Sequence, residues 1–414
     1  MKKKLIIIVI LLVLFNLCLV ADGAHEAEEV AQPKNVILFI GDGMGPNHVD
    51  AGEVYLNRPI CFNVTNEKWA YHAYSNTDSL TSAGFTLDET KSLIRPELNA
   101  SLYDGSPSPY DPNVSLGTSG NITTYTDSAA GGTALSTGVK VTNSRLGLDV
   151  EGNPIENLVE IAKGLNKKAG VVTSDEIVGA TPSSFLAHVA ERHLSADILN
   201  DIAESPVDLV LGKTTDEYKN NTTLYETKFK NAGFEVSYDK KGLKAESERL
   251  IGLFPKVAWK TDSRVPTLAE LTVFALDYLN NEEGFFLMVE GAIIDKHSHS
   301  HQTQLMLNEL LGFDEAVKTA EEWANGRDDT IIVVTADHET GGLHFDRSKA
   351  TQATIATDIK WLTYNHSRTR VDIAVYGDIS DFLSKYEDNF STLEGLPYWD
   401  NTDVFKLCSW YLFN

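Results

Sequence analysis

Three short apolar runs constrain this chain more than any other feature. "NVILFI" (35–40), "FFLMV" (285–289) and "TIIVVT" (330–335) are each followed directly, or within a tight turn, by acids: Asp42, Glu290 and the pair Asp337-His338. Apolar runs this short, bounded by turn residues, read as buried strands rather than helices. Because they lack alternation, both faces must be covered, which is the condition of strands in a parallel sheet. "AGVVTS" and "VDLVLG" add two more strands. Helical apolar spacing occupies residues 155–166, 266–279 and 304–323, and "TPSSFLAHVAERH" reads as a helix starting near Thr181 with Pro182 early. Strands alternating with helices predict an α/β fold with a mainly parallel central sheet and helices on both faces. Ligand sites in such sheets form beyond the carboxyl ends of the strands. If the three runs are parallel neighbours, their acids meet at one edge.

The segment "FFLMVEGAIIDKHSHSH" concentrates that chemistry. Asp295 and His299 are four apart, which places them on one face of a helical turn. His297 and His301 are a rival pair with the same spacing. Carboxylate with imidazole is a zinc-type ligand set, although an isolated D-x-x-x-H is usually a solvated helix face. Elsewhere "DSAAGGTAL" places Ser128 ahead of small residues. At a helix N-terminus its oxygen would lie near unpaired N–H groups, and small residues would let an anion approach the backbone. An ordinary Ser or Asp N-cap is the plainer alternative. No histidine is close in sequence, so activation would come from a distant base or from a metal.

The opening "MKKKLIIIVILLVLFNLCLVADGA" has three lysines, an apolar stretch and small residues. It reads as a signal peptide over residues 1–23 cut before Ala24, with an uncleaved membrane anchor as the alternative. Either way the body is exported: secreted, periplasmic or on the cell surface. N-x-[ST] sequons at Asn63, Asn99, Asn113, Asn121, Asn220, Asn221, Asn365 and Asn389 make it a glycoprotein candidate. The net charge of −24 argues against nucleic acid and anionic membrane surfaces as partners. An anionic substrate would have to be held locally, by metal ions or a few Arg and Lys. Outside the leader only Cys61 and Cys408 remain. They form either a disulfide or two unpaired thiols, and sequence does not choose between these.

"IGDGMG", "DSAAGGTALSTG", "ATPSSFLAHVAER", "VEGAIIDKHSH", "TADHETGG" and "NHS" occur in this order between Asn35 and the closing "DNTDVFKL". Together they resemble the alkaline phosphatase family. The resemblance implies the family's three-layer α/β sandwich, with one catalytic domain over residues 24–414; residues 76–122, rich in Ser, Thr, Pro, Gly and Asn with few apolar residues in register, read by their composition as a surface insertion. It implies hydrolysis of small phosphate monoesters with broad specificity, releasing inorganic phosphate. Ser128 would be the nucleophile and form a phosphoserine. Asp295, His299 and His366 would hold one Zn2+, and Asp42, Asp337 and His338 a second. Asp42, Thr181 and Glu290 would hold one Mg2+. Arg192 would clamp the phosphate in the two-pronged geometry suited to guanidinium, with Asp127 orienting it.

Departures from the family pattern bear on the third metal. Gly179 stands where many relatives carry Asp or His, so the identity of that ion is open. With no acid at 179 to pair it, Lys296 is expected near the phosphate; a solvated lysine is the alternative. Tyr125 replaces a β-branched residue, and only packing should change. His188, four before Arg192, is expected to be structural, and His297, His301 and His344 to lie outside the ligand sets. The short interval from His338 to His366 leaves little room for a large insertion. The homodimer implied by the resemblance must then form mostly elsewhere. Two rival readings are a phosphodiesterase or sulfatase of the wider superfamily, disfavoured by Ser128 with Arg192, and a non-catalytic metal- or phosphate-binding protein.

Overall fold

β1 (Asn35–Ile40) pairs in parallel with β7 (Phe285–Glu290) on one side and β8 (Thr330–Thr335) on the other. The three apolar runs are therefore neighbours at the centre of the sheet. The computed structural model describes residues 35–79, 125–244, 246–262, 264–386, 390–393 and 395–414. The leader and residues 80–122 of the expected surface insertion lie outside them.

The sheet has eleven strands. The remaining members are β2 (Tyr71–Asn76), β3 (Lys168–Glu176), β4 (Leu209–Lys213), β5 (Phe234–Ser237), β6 (Arg249–Phe254), β13 (Val371–Tyr376), β14 (Ser391–Leu393) and β15 (Leu396–Asp400). Their order is β14-β15-β2-β13-β8-β1-β7-β3-β4-β6-β5. The run from β8 to β5 is parallel, β13 is antiparallel to both neighbours, and β14 is antiparallel to β15. Two small antiparallel ribbons follow β8: β9 (Glu339–Thr340) with β12 (His366–Ser367), and β10 (Leu343–His344) with β11 (Lys360–Trp361).

Each central strand is buried along its whole length because its side chains alternate between two cores. Val36, Leu38, Ile40, Phe286, Met288, Ile331 and Val333 enter one core, and Ile37, Phe39, Leu287, Val289, Ile332 and Val334 enter the other. The first core is covered by α2 (Ser128–Thr137), α3 (Leu158–Gly164) and the C-terminal α8 (Asn401–Phe413). The second is covered by α1 (Pro46–Leu56), α5 (Leu268–Leu279) and the long α7 (Thr303–Ala324). A fully buried Val, Leu, Ile or Phe contributes roughly 1.5–3 kcal/mol relative to exposure. The central strands are thus the least able to shift, and the loops at their carboxyl ends inherit that rigidity.

Helix starts follow capping chemistry more closely than apolar spacing. α3 begins at Leu158, not 155, because Asn157 and Glu160 form a reciprocal capping box; Thr267 and Glu270 do the same for α5. The helix expected from Thr181 is a single turn, α4 (Ala180–Ser183). Phe185 and Leu186 continue with three-residue hydrogen bonds, and Val189 then exchanges both backbone bonds with Leu146. The apolar residues are buried as their pattern suggests, but long-range pairing overrides the helical period. His188 and Arg192 consequently share no helix. Arg192 sits in a turn, its N–H donating to Ser144 O at 2.8 Å. Cys61 and Cys408 are both free thiols, which settles the open alternative against a disulfide.

Candidate active site

Asp42 follows β1 in a tight turn. Gly43, at φ +70°, lets its N–H reach Asp337 Oδ1 at 3.2 Å. Asp337 and His338 follow β8, and Glu290 closes β7. α2 approaches the same edge, where a Cβ at Gly131 would lie 2.9 Å from Asp337 O. Only glycine permits that contact, and it brings Ser128 Oγ to 3.2 Å from His338 Nε2. Asp127, rather than Ser128, is the N-cap: its Oδ1 accepts from Ala130 N at 3.0 Å. Its Oδ2 accepts from Ser144 N at 3.0 Å and from Arg192 Nη1 at 3.1 Å, which fixes the guanidinium.

Two ligand clusters converge here. Asp42, Asp337 and His338 form one, and Asp295, His299 and His366 the other, each with one ligand atom per residue within 4.8 Å of the rest. The hydrogen bonds around them set the tautomers. His299 Nδ1 donates to Tyr364 O at 2.5 Å, and His366 Nδ1 to Thr126 O at 2.6 Å. A carbonyl can only accept, so Nδ1 carries a proton in both rings and Nε2 is the nitrogen whose lone pair is left for a ligand. These two lone pairs face each other at 3.1 Å, with Asp295 Oδ1 at 3.3 and 3.7 Å. Two acceptors and a carboxylate converging in this way leave a place for a cation, not for a mutual hydrogen bond. Thr340 Oγ1 donates to Asp295 Oδ1 at 2.5 Å and lies 3.3 Å from His338 Nδ1. That arrangement directs the His338 Nε2 lone pair towards Ser128, Asp42 and Asp337.

Burial sharpens the electrostatics. Desolvation, reinforced by Asp337, Asp295 and Glu290, holds Asp42 well above the usual carboxylate range. Burial also pushes Glu290 up to about 7, a hydrogen bond from Thr173 opposing it. Asp337 rises to about 7 through burial and the Asp295 charge. The same burial keeps His338 neutral, its pKa well below the ordinary value, and lowers His366. Neutral imidazoles and crowded carboxylates are the donors a divalent ion requires. Asp42 Oδ1 and Asp337 Oδ2 are buried without a hydrogen-bond partner. Thr181 Oγ1 faces the Glu290 carboxylate but makes no hydrogen bond of normal geometry. A buried polar atom left unpaired is costly, and bound cations would satisfy all three. The donor set therefore fits divalent metals.

A cavity of about 240 Å3 opens over Ser128, lined by Tyr125, Asp127, Arg192, Asp295, His299, Asn365 and His366. Lys296 does not line it. Its Nζ is tied to Asp175, which also accepts from Lys213 at 3.2 Å. The expectation that Lys296, with no acid at 179, lies near the phosphate is corrected: Asp175, in β3, supplies the carboxylate that holds it away from the cavity. His188 bridges Gly147 O and Glu160 at 2.7 and 3.0 Å, and His297 pairs with Gln302 at 2.8 Å. Sequence reasoning missed Thr173, Thr340 and Asp175. Thr173 and Asp175 lie inside a strand outside any quoted motif, and although Thr340 lies within "TADHETGG", nothing in residue type points to the Asp295, Glu290 and Lys296 side chains these residues reach, 45 to 121 residues away. It also missed the carbonyls of Thr126 and Tyr364, since a backbone acceptor leaves no trace in residue identity.

Residues 117–388 match the family described as alkaline phosphatase. The chain is 31% identical to alkaline phosphatase 4 of Bacillus subtilis over 77% of its length, and 31% identical to alkaline phosphatase 3 of the same organism over 75%. It spans 64% and 62% of those relatives' own lengths. The fold is similar to that of the alkaline phosphatase from the Antarctic bacterium TAB5, with a TM-score of 0.66 over 93% of this chain and 99% of that one at 24% identity. With the ordered motifs, the three-layer sheet and a family match across most of its length, this chain belongs to the alkaline phosphatase family.

Proposed function

We propose that the protein is an exported, metal-dependent phosphomonoesterase that hydrolyses small phosphate monoesters with broad specificity through a phosphoserine on Ser128. One observation carries the reading: two three-residue ligand clusters flank a single buried serine hydroxyl that lies 3.2 Å from His338 Nε2. Asp295, His299 and His366 would hold one zinc, and Asp42, Asp337 and His338 a second. Asp42, Thr181 and Glu290 would hold magnesium, an assignment supported by the unpaired Thr181 Oγ1 and Asp42 Oδ1. Bound there, the ions would supply Lewis acidity and neutralise phosphoryl charge.

The chain's own residues account for the remainder. Arg192, fixed by Asp127, offers its free guanidinium edge to two phosphoryl oxygens. Ser128 Oγ attacks phosphorus: the Oγ–P bond forms as the bond to the alcohol oxygen breaks, the serine proton passes to solvent, and the alcohol leaves with a proton from water. Water then attacks the same phosphorus, the P–Oγ bond breaks, and inorganic phosphate and the free hydroxyl result. The net change is ester plus water to alcohol plus phosphate.

Export is supported by the leader pattern of residues 1–23. Among the described residues no helix is long and apolar enough to cross a membrane. A homodimer is the assembly expected from the resemblance. The test is hydrolysis of a chromogenic monoester. Wild type should be active, chelator should abolish activity and zinc restore it, and Ser128→Ala should lower kcat by about 10^3-fold or more. Activity that survives both Ser128→Ala and chelation would refute the reading.

A further inference from the structure

His301 closes the "HSHSH" segment two residues after His299, and neither ligand cluster includes it. Its position is nonetheless tightly specified. The ring stacks parallel to both Trp361 (centroids 5.4 Å, interplanar angle 4°) and Tyr364 (3.9 Å, 11°). Nε2 donates to Thr363 O at 2.7 Å. The residue holds φ +51°, a left-handed conformation uncommon outside glycine and tolerated best by Asn, Asp and His. That backbone conformation belongs to the helix end, a Schellman motif in which His301 N bonds to Ser298 O at 3.1 Å and Gln302 N to His297 O at 2.8 Å; the stacking of the ring is the separate feature that calls for a role.

The clamped segment contributes to the site twice. Tyr364 O accepts from His299 Nδ1 at 2.5 Å and so directs the Nε2 lone pair into the cluster. Two residues later the same segment delivers His366. The segment is also anchored by Leu362 N and Thr363 N on Gly341 O, by Gly341 N on Asn365 O, and by Trp361 Nε1 on Thr303 Oγ1 at 2.9 Å. Asp295 and His299 come from α6 (Ile293–His299), whereas His366 comes from β12. Apart from the contacts of the ligands themselves, two ties between these pieces stand out among the described residues: His301, which stacks on Trp361 and Tyr364 and bonds to Thr363 O, and Trp361, whose Nε1 donates to Thr303 Oγ1 just past α6.

On the proposed two-metal reading, we infer that His301 is a positioning residue: it clamps the 361–366 segment onto the end of α6 and holds His299 and His366 in register for one ion. It touches neither ion nor substrate. Removing it should loosen the Asp295/His299/His366 site and leave the Asp42/Asp337/His338 site, whose ligands come from other segments, unaffected.

The test uses full-length protein reconstituted with zinc and follows zinc release to a chromogenic chelator. His301→Asn retains a residue suited to φ > 0 but removes the ring. His301→Phe keeps a stacking ring and loses the hydrogen bond. Wild type should release two zinc ions per chain. In His301→Asn one of them should leave about tenfold faster or more, the scale on which outer contacts of metal ligands act, and the other within about twofold of wild type. His301→Phe should recover a substantial part of the difference. Equal release from wild type and His301→Asn, or equal acceleration of both ions, would overturn the inference. Amide hydrogen exchange over residues 360–367 in metal-free protein separates this from failure of the functional reading. A wild type that takes up fewer than two zinc ions overturns the functional reading. Faster exchange in His301→Asn still upholds the tie, and unchanged exchange overturns it.

Discussion

Stripping the metals should make this protein's stability fall steeply with pH. Metal-free, Glu290 is held protonated to about pH 7 rather than 4.5, and Asp337 to about 7 rather than 3.8, with burial the leading cause in both. These folded-state values lie above the unfolded ones. Their contribution is therefore complete below pH 4 and is lost as pH rises through 7. Between pH 5.5 and 7 the unfolded chain has already released both protons while the native chain retains them, so each group costs roughly 1.4 kcal/mol per pH unit. Two groups over that interval amount to about 4 kcal/mol, released as a set because the carboxylates interact. For a chain this long 1 kcal/mol moves Tm by about 1–2 °C, so these two groups should widen the Tm gap between metal-loaded and metal-free protein by roughly 4–8 °C, and Asp42, raised by burial as well, widens it further. In protein loaded with both zinc and magnesium the same carboxylates would be ligands, Asp337 of zinc and Glu290 of magnesium, and stay ionised, which removes the dependence. Glu309, Glu339 and Asp372, also pushed by burial up to about 7, titrate in both forms and cancel in the comparison. The assay is thermal unfolding of chelator-treated protein and of protein reconstituted with zinc and magnesium, from pH 5.5 to 8.5. Glu290→Gln in the metal-free state should make the fall with pH shallower, by about 2 kcal/mol over pH 5.5 to 7. A Tm difference between the two forms that does not change with pH would refute the reasoning.

Arg192→Lys should raise the Ki of inorganic phosphate about 10–100-fold, since a lysine can neither span two oxygens nor keep the Asp127 contact in the same plane; product-inhibition kinetics read it directly. Lys296→Ala should leave phosphate inhibition within about twofold, because the ammonium is tied to Asp175 and does not line the cavity; weakening beyond tenfold would place Lys296 at the phosphate after all. Thiol titration of the unfolded, unreduced protein should find Cys61 and Cys408 both free, and a reductant should not change Tm.

What could be read from the sequence divides along a physical line. Asp42, Glu290, Asp337 and His338 follow buried parallel strands, and strand period with apolar content fixes where such residues emerge. Four-residue spacing offered both Asp295–His299 and His297–His301; the structure separates them, because α6 ends at His299 and only the first pair joins a ligand cluster among the described residues. The helix assigned from Thr181 failed because apolar spacing cannot distinguish a helix from a buried turn drawn away by the Leu146–Val189 bridge. Arg192 is nonetheless in place, held by two hydrogen bonds to groups 48 and 65 residues away in the chain. The contacts that aim the ligands were the least legible. Thr340 on Asp295, Tyr364 O on His299 and Thr126 O on His366 span 45, 65 and 240 residues. Two of the three are backbone oxygens, which any residue can supply. The ligands can therefore be inferred from residue identity, but their orientation depends on chain path. This is why His301, chemically indistinguishable in sequence from the histidines two and four before it, is assigned a separate role only once the 361–366 segment is seen folded across it.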